Sequence, residues 1–261
     1  MGIRSRLRNL IRLYSLHSEA EAGAIVSWSQ APTELGDLFA RYGSDKASRP
    51  DEQAATFAWP THNYDYVYSE ALGARREDVK LLLEVGIGTN NLNITSNMGS
   101  LGVPGASLRA WRDYLPNAHV IGADIDRNTF FHEDRITCVH VNQRDRASIM
   151  QMWATLGNPE VDVIVDDGEH TLESTINFAK NSLPHLKKDG VYFIELYSPF
   201  YKRPWQFIQR KIGFLLPSLL WPFPFPQKFV NFLKTIDVVL SVGGDNYSSE
   251  YGFPSFLIGV D

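Results

Sequence analysis

Leu81-Leu82-Leu83-Glu84-Val85-Gly86-Ile87-Gly88-Thr89 decides how the rest of the chain is read. An apolar run ends in a carboxylate and breaks into a glycine-rich turn. A strand buried on both faces of a parallel sheet reads as such a continuous apolar run. Gly86 and Gly88 let the main chain turn sharply and let a ligand come close to it. The pattern is Glu-x-Gly-x-Gly, and Asn91 stands where a third glycine would complete the dinucleotide fingerprint. No Gly-Lys-Ser/Thr follows, which excludes a P-loop.

Outward from this stretch, strands alternate with helices. The pattern predicts strands over Lys80 to Val85, His119 to Ala123, Ile136 to Val141, Val161 to Val165 and Val191 to Glu195. Helices are expected over Thr33 to Arg41, His62 to Leu72, Ser107 to Leu115, Ala147 to Leu156 and Leu172 to Leu186. The third of these follows the glycine-rich loop Gly99 to Gly105 and is stopped by Pro116. The last ends in Lys187-Lys188-Asp189-Gly190, basic residues and then glycine, as helix C-termini prefer. Val238 to Val242 and Phe256 to Val260 are expected to pair as an antiparallel C-terminal hairpin. The fold class is therefore α/β, a doubly wound, mostly parallel sheet. Residues 1–75 read as an N-terminal helical extension and 76–261 as the ligand-binding domain, carrying an aromatic, proline-rich insertion at 199–230.

The chain has 261 residues, 44% hydrophobic and 21% charged, the proportions of a globular protein. A single cysteine, Cys138, excludes a disulfide framework and a cysteine-based zinc site; it reads as a buried strand residue. A net charge of −5 argues against nucleic acid as a partner. No apolar stretch reaches the roughly 20 residues of a membrane span, and no apolar signal core follows Met1, so a cytoplasmic protein is expected. Two segments stand out. Met1 to Leu16 carries Arg4, Arg6, Arg8 and Arg12 without an acid, and its apolar residues recur at spacings of three and four. A helix there docks on its own domain or another subunit, or lies on an anionic membrane surface as a peripheral contact. Pro199 to Pro226 is aromatic and broken by prolines, which precludes a long helix and suits a lid or a subunit contact. Both segments make a homo-oligomer an expectation.

Ligands in doubly wound sheets bind at the carboxyl ends of the strands, and the polar clusters of this sequence fall there. After the second strand comes Asp124-Ile125-Asp126; Asp124, with Asp126 as alternative, can accept both hydroxyls of a ribose, or the two are loop caps. After the third comes Asn142-Gln143-Arg144-Asp145; Gln143 and Asp145 can pair with an adenine edge, and Asp145 can equally cap the helix from Ala147. After the fourth comes Asp166-Asp167-Gly168-Glu169-His170. Adjacent carboxylates repel unless a cation or donors stabilise them. Asp167 and Glu195, the latter closing the fifth strand, can hold a hard divalent cation such as Mg2+, with waters completing the octahedron. His170 can then take a proton from a substrate hydroxyl.

Taken together, Gly43-Ser44-Asp45-Lys46, His62, Tyr64 to Tyr68, Glu84 to Gly88, Gly105 to Pro116 with its Ser-Leu-Arg-x-Trp, Gly122 to Asp126, Gln143 with Asp145, and Asp167-Gly168-Glu169-His170 resemble the metal-dependent sugar O-methyltransferases that use S-adenosyl-L-methionine (SAM). The likeness covers about Thr33 to Glu195. It implies the class I methyltransferase fold and SAM as cofactor. Glu84, Gly86 and Gly88 are then at the methionine part of SAM, Asp124 at the ribose, and Gln143, Asp145 and Asp166 on the cofactor side. It implies Asp167 as magnesium ligand with Glu195, and His170 as general base. Lys46 or His62 is expected to close the pocket. The acceptor is expected to be a sugar-bearing small molecule or a lipid-linked glycan. One departure is visible: the family's Glu-Asp at the end of the fifth strand is Glu195-Leu196 here, so one metal ligand is missing unless Asp166, Glu169 or a water takes its place. The rival readings are a methyltransferase for another hydroxylated acceptor, a non-catalytic SAM-binding scaffold, and a nicotinamide oxidoreductase, the last disfavoured by Asn91.

Overall fold

A computed structural model describes residues 24–26, 32–47, 61–62, 64–196, 238–243 and 255–259. The segments expected at Met1 to Leu16 and at 199–230 lie outside the described residues. In chain order the elements are β1 (Ala24–Val26), α1 (Glu34–Tyr42), α2 (Tyr64–Leu72), β2 (Leu81–Val85), α3 (Ala106–Tyr114), β3 (His119–Asp124), β4 (Ile136–His140), α4 (Arg146–Thr155), β5 (Val161–Asp166), α5 (Leu172–Ser182), β6 (Leu186–Leu196), β7 (Val238–Gly243) and β8 (Ser255–Gly259). They form one sheet in the order β1-β8-β7-β6-β5-β2-β3-β4. Pairs from β4 through β7 are parallel, and β8 is antiparallel to both β7 and β1. The doubly wound sheet and the terminal antiparallel pair stand as expected. Not expected was β1, a strand within the extension read as helical; three residues are too few to show a period.

The order reverses at β2: β3 lies on one side, and β5 on the other. Such a switch point opens a crevice beyond the strand ends. Here the register brings Val85 level with Ala123 and with Asp166. The glycine turn, the Asp124 loop and the Asp167 loop therefore leave the sheet side by side.

Helices cover both faces. On one, Leu35, Phe39, Tyr64, Tyr68, Leu108 and Trp111 from α1–α3 pack with Leu82, Val163, Val165 and Phe193 of the sheet. On the other, Ile149, Trp153 and Phe178 from α4 and α5 pack with Leu83, Val85, Ile164, Tyr192 and Ile194. Side chains of a strand alternate between faces, so Leu82 and Leu83 enter different cores. The helices are locally specified. Thr33 caps α1 by accepting from Gly36 N at 2.8 Å, and Gly43 ends it at φ 81°, a left-handed conformation that suits glycine.

One boundary departs from the sequence pattern. α5 stops at Ser182, and Leu183–His185 is a tighter 3-10 turn containing Pro184. Proline donates no hydrogen bond and its ring crowds the preceding turn. Lys187-Lys188-Asp189-Gly190, read as a helix end, instead belongs to β6, whose pairing with β5 shifts register between Val161 and Val163. Lys187 reaches Asp162 at 2.9 Å, which draws this segment to the sheet.

Trp111 joins the three helices of the first layer. It is fully buried, with its ring edge-on to Phe39 at 5.3 Å and to Tyr68 at 4.9 Å. Trp111→Ala is expected to destabilise the protein by about 3–5 kcal/mol, the usual range for emptying such a site, measured by denaturant unfolding. A loss under 1 kcal/mol would mean that α1 and α2 do not depend on this contact.

Candidate functional site

Alternation decides which acids meet. Glu84 lies two residues beyond Leu82, Asp167 two beyond Val165, and Glu195 two beyond Phe193; those three apolar residues share the core under α1–α3. The acids therefore turn to the same side. Asp166, two beyond Ile164, turns to the other. Between the three acids stands Lys46 from the turn after α1. Its Nζ donates to Asp167 Oδ2 and, at 2.7 Å, to Glu195 Oε1, and lies 3.7 Å from Glu84 Oε1. The Lys46 side chain is 2% exposed. Tyr68 OH donates to the same Glu195 oxygen, and Ser107 Oγ donates to Glu84 Oε1 at 2.8 Å. Glu84 Oε2 is buried without a hydrogen-bond partner.

One ammonium cannot neutralise three carboxyl groups. Burial disfavours the Lys46 charge, but Asp167, Glu195 and Glu84 outweigh it and hold the ammonium above the usual lysine range. Burial also pushes Glu84 up to about 7 and, with the Asp167 charge beside it, raises Glu195, against the pull of Lys46.

His170 stands at the solvent side of this cluster. Its backbone is left-handed at φ 59°, uncommon outside glycine and a sign that surrounding structure holds it. Its Nδ1 lies 2.9 Å from the Glu195 carbonyl oxygen, which can only accept, so Nδ1 carries the proton. Nε2 then presents its lone pair, 3.4 Å from Asp167 Oδ1. Fixing one nitrogen through a carbonyl sets the tautomer that a general base needs.

The glycine turn lies next to this pair. Gly86 has φ 97°, and a Cβ on it would come within 1.9 Å of the Asp167 carbonyl oxygen, so only glycine allows β2 and β5 to approach. Gly88 has φ 87°, and the space a Cβ would take holds only the flexible end of Met98, whose sulfur would be 1.8 Å away. Asp124 accepts from Ile87 N and from Asp126 N, each at 2.8 Å, which ties its loop to the turn. Asp126 accepts from Thr89 Oγ1 at 2.5 Å and caps the 3-10 turn Arg127–Thr129. These residues fit SAM: a positive-φ glycine turn lined by a flexible methionine for the methionine part, with the Asp124 carboxylate beside it for a ribose hydroxyl.

The other expected residues have these surroundings. Gln143 is buried, donates to Asp166 Oδ1 at 2.7 Å and accepts from Glu169 N at 2.8 Å, so its amide shapes the loop carrying His170. Asp145 is exposed and caps α4 through Ala147 N at 2.9 Å, the helix-capping role. Asp166 is buried against Gln143 and Tyr192, away from Asp167. His62 stacks on Tyr64 with ring centres 4.6 Å apart and lies 3.5 Å from Asp45, while Lys46 reaches the acids. From sequence reasoning alone, Lys46 had only a general place at the pocket and Tyr68 had none. Acids that share a parity on adjacent strands need a cation, and that was the available signal.

A divalent cation does not fit these residues. Magnesium takes oxygen ligands at about 2.0–2.1 Å in a near-ideal octahedron. The Asp167 and Glu195 oxygens that face one another already share the Lys46 ammonium, and position 196 is leucine. Among the described residues no group of three or more His, Cys, Asp or Glu is placed to hold a metal ion. Nor, among them, is any helix long and apolar enough to cross a membrane.

No protein-family model matches the chain. It is similar to demethylmacrocin O-methyltransferase of Streptomyces fradiae, 29% identical over 177 residues, covering 68% of this chain and 40% of the relative. It is also similar to the 8-demethyl-8-alpha-L-rhamnosyl tetracenomycin-C 2'-O-methyltransferase of Streptomyces olivaceus, 27% identical over 161 residues, or 62% and 37% of the two chains. A third relative, mycinamicin VI 2''-O-methyltransferase of Micromonospora griseorubida, is 27% identical over 162 residues, or 62% and 35%. The chain thus spans about two fifths of the length of the relatives it matches. All three are named as O-methyltransferases, and the name of the Streptomyces olivaceus relative carries a rhamnosyl unit. Among solved structures, MycE methyltransferase of the mycinamycin biosynthetic pathway, in complex with Mg and SAH, matches with a TM-score of 0.56 and 19% identity over 89% of this chain and 56% of that one. At that identity the likeness is one of fold alone.

The separation of the adjacent acids is measurable. Burial raises Asp166 from its ordinary 3.8 to about 6, against Gln143, His170 and Tyr192. A carboxyl raised on folding binds its proton more tightly folded than unfolded, so its contribution to stability falls as pH rises between these values. Relative to Asp166→Asn, the wild type should lose up to ~1.4 kcal/mol per pH unit between pH 4 and 6, read from urea unfolding at each pH. A pH-independent difference would place Asp166 in contact with solvent.

Proposed function

We propose that this chain is a SAM-dependent O-methyltransferase acting on a sugar hydroxyl. The observation that carries the reading is His170, held in one tautomer beside Asp167 and next to the glycine turn at the switch point of the sheet. The names of its relatives support the sugar and the methyl transfer. The acceptor is a sugar-bearing small molecule such as a natural-product glycoside, with a lipid-linked glycan as the broader alternative. The setting is the cytoplasm, where a thiol such as Cys138 stays reduced.

SAM, when bound, supplies a methyl group on a sulfonium for in-line transfer to the acceptor oxygen. The protein's work is alignment and proton removal. The Gly86–Gly88 turn would hold the methionine part against the main chain, and Asp124 the ribose. A sugar hydroxyl is a weak acid, so its attack at neutral pH requires a base within hydrogen-bond reach. His170 Nε2 accepts the hydroxyl proton as the oxygen–carbon bond forms. The resulting imidazolium faces Asp167 Oδ1, whose charge stabilises it. Nδ1 keeps its bond to the Glu195 carbonyl throughout, so the ring does not turn.

Two measurements test this. Calorimetric titration of the full chain should show binding of SAM and S-adenosylhomocysteine and none of NAD; binding of neither methyl-cycle ligand ends the methyltransferase reading. His170→Ala should retain S-adenosylhomocysteine affinity while methyl transfer to a glycoside acceptor drops by about 10²–10⁴-fold, the usual contribution of a general base. Unchanged turnover in that variant would assign proton removal elsewhere.

A further inference from the structure

We propose that the Lys46 ammonium is the resident cation of this site, standing where a divalent ion would bridge Asp167 and Glu195, so that the chain works without a metal. The inference rests on the methyltransferase reading for its role in catalysis, though not for its geometry. Each observation concerns a different part of the site. The oxygens that face one another, Asp167 Oδ2 and Glu195 Oε1, both accept from Lys46 Nζ, and Glu195 Oε1 accepts from Tyr68 OH as well. A metal would need those same lone pairs. At position 196, next to Glu195, a leucine offers no oxygen.

Lys46 is built into its place. The chain reaches it through the left-handed Gly43 that ends α1, with Ser44 N donating to Phe39 O at 2.9 Å. Its own carbonyl accepts from Asp65 N at the start of α2, at 3.2 Å. Tyr64 lies alongside, its ring centre 5.9 Å from Nζ. A divalent ion could enter only by driving a buried ammonium out of a fully packed layer, against strong like-charge repulsion at this range.

The substitution changes what the cation does. An ammonium donates hydrogen bonds and carries a single charge; it does not draw a substrate hydroxyl into a coordination sphere. Lys46 is therefore a positioning residue. It holds Asp167 by Oδ2, which leaves Oδ1 directed at His170 Nε2. It also neutralises part of the charge that would otherwise repel the strand ends bearing Glu84, Asp167 and Glu195 from one another. Deprotonation of the acceptor then falls to His170 without help from a Lewis acid.

The test uses the full chain and Mn2+ as the probe, followed by its paramagnetic resonance signal, with S-adenosylhomocysteine binding measured by calorimetry alongside. The wild type should leave the Mn2+ signal unperturbed, and its S-adenosylhomocysteine affinity should be the same in EDTA and in magnesium. Lys46→Met, which keeps the length and removes the charge, should acquire Mn2+ binding and melt at a higher temperature when Mn2+ is present. Mn2+ bound by the wild type and lost in Asp167→Asn would overturn the proposal. So would a folded Lys46→Met that neither binds Mn2+ nor differs in melting temperature from the wild type. The wild-type arm decides the matter by itself where Lys46→Met does not fold. Absence of S-adenosylhomocysteine binding under every condition would instead count against the methyltransferase reading and leave the Mn2+ result intact.

Discussion

Two buried carboxyl groups, Glu84 and Glu195, and a partly exposed third, Asp167, converge on one buried ammonium, and the arrangement of this molecule depends on that convergence. Removing charges from water is unfavourable by several kcal/mol per ion unless each finds a partner of good geometry. Glu84 ends the apolar run of β2, Glu195 stands near the end of β6, and Asp167 follows β5 directly. For all three to reach Lys46, the carboxyl ends of these strands must be level. The turn after α1 must also be pressed against the sheet. The segment before β2 is for this reason part of the site, although in sequence it reads as an extension.

The same constraint orders the catalytic elements. With Asp167 held by one oxygen, its other oxygen and the Glu195 carbonyl define where the His170 ring lies. The left-handed backbone at His170 is tolerated because Gln143 grips the preceding residue through Glu169 N. The loop is thus fixed from both sides of the sheet: by Lys46 and Glu195 on one, by Gln143 and Asp166 on the other. Gly86 completes the arrangement, since only a residue without Cβ lets the β2 turn lie against the Asp167 carbonyl.

Much of this was legible in the chain. The alternation of apolar runs and amphipathic stretches gave the five central parallel strands and their helices, though not the start of β6 or the end of α5, because a parallel sheet with both faces covered leaves continuous apolar runs for its strands. The glycine turn and the acids after each strand located the crevice. Parity along the strands, Leu82 to Glu84 and Phe193 to Glu195, already separates Asp167 from Asp166. Less was legible where one residue type serves two purposes. Gln143 has the chemistry to read an adenine edge and the chemistry to bind a loop, and its neighbours show the second use. Asp145 serves as a helix cap because the helix begins one residue after it. Pro184 shortened α5 against a helical pattern that ran on to Leu186.

The sequence by itself determined the layered sheet and the acids and histidine at its strand ends, since these follow from local periodicity and from strand ends. Only the tertiary structure decided what stands among the acids. Lys46 is separated from Asp167 by 121 residues and from Glu195 by 149. No local pattern links a lysine in a turn to carboxylates so far along the chain. Its place there results from packing α1 and α2 against the sheet, which brings the ammonium into a dry space where the carboxylates need a positive charge.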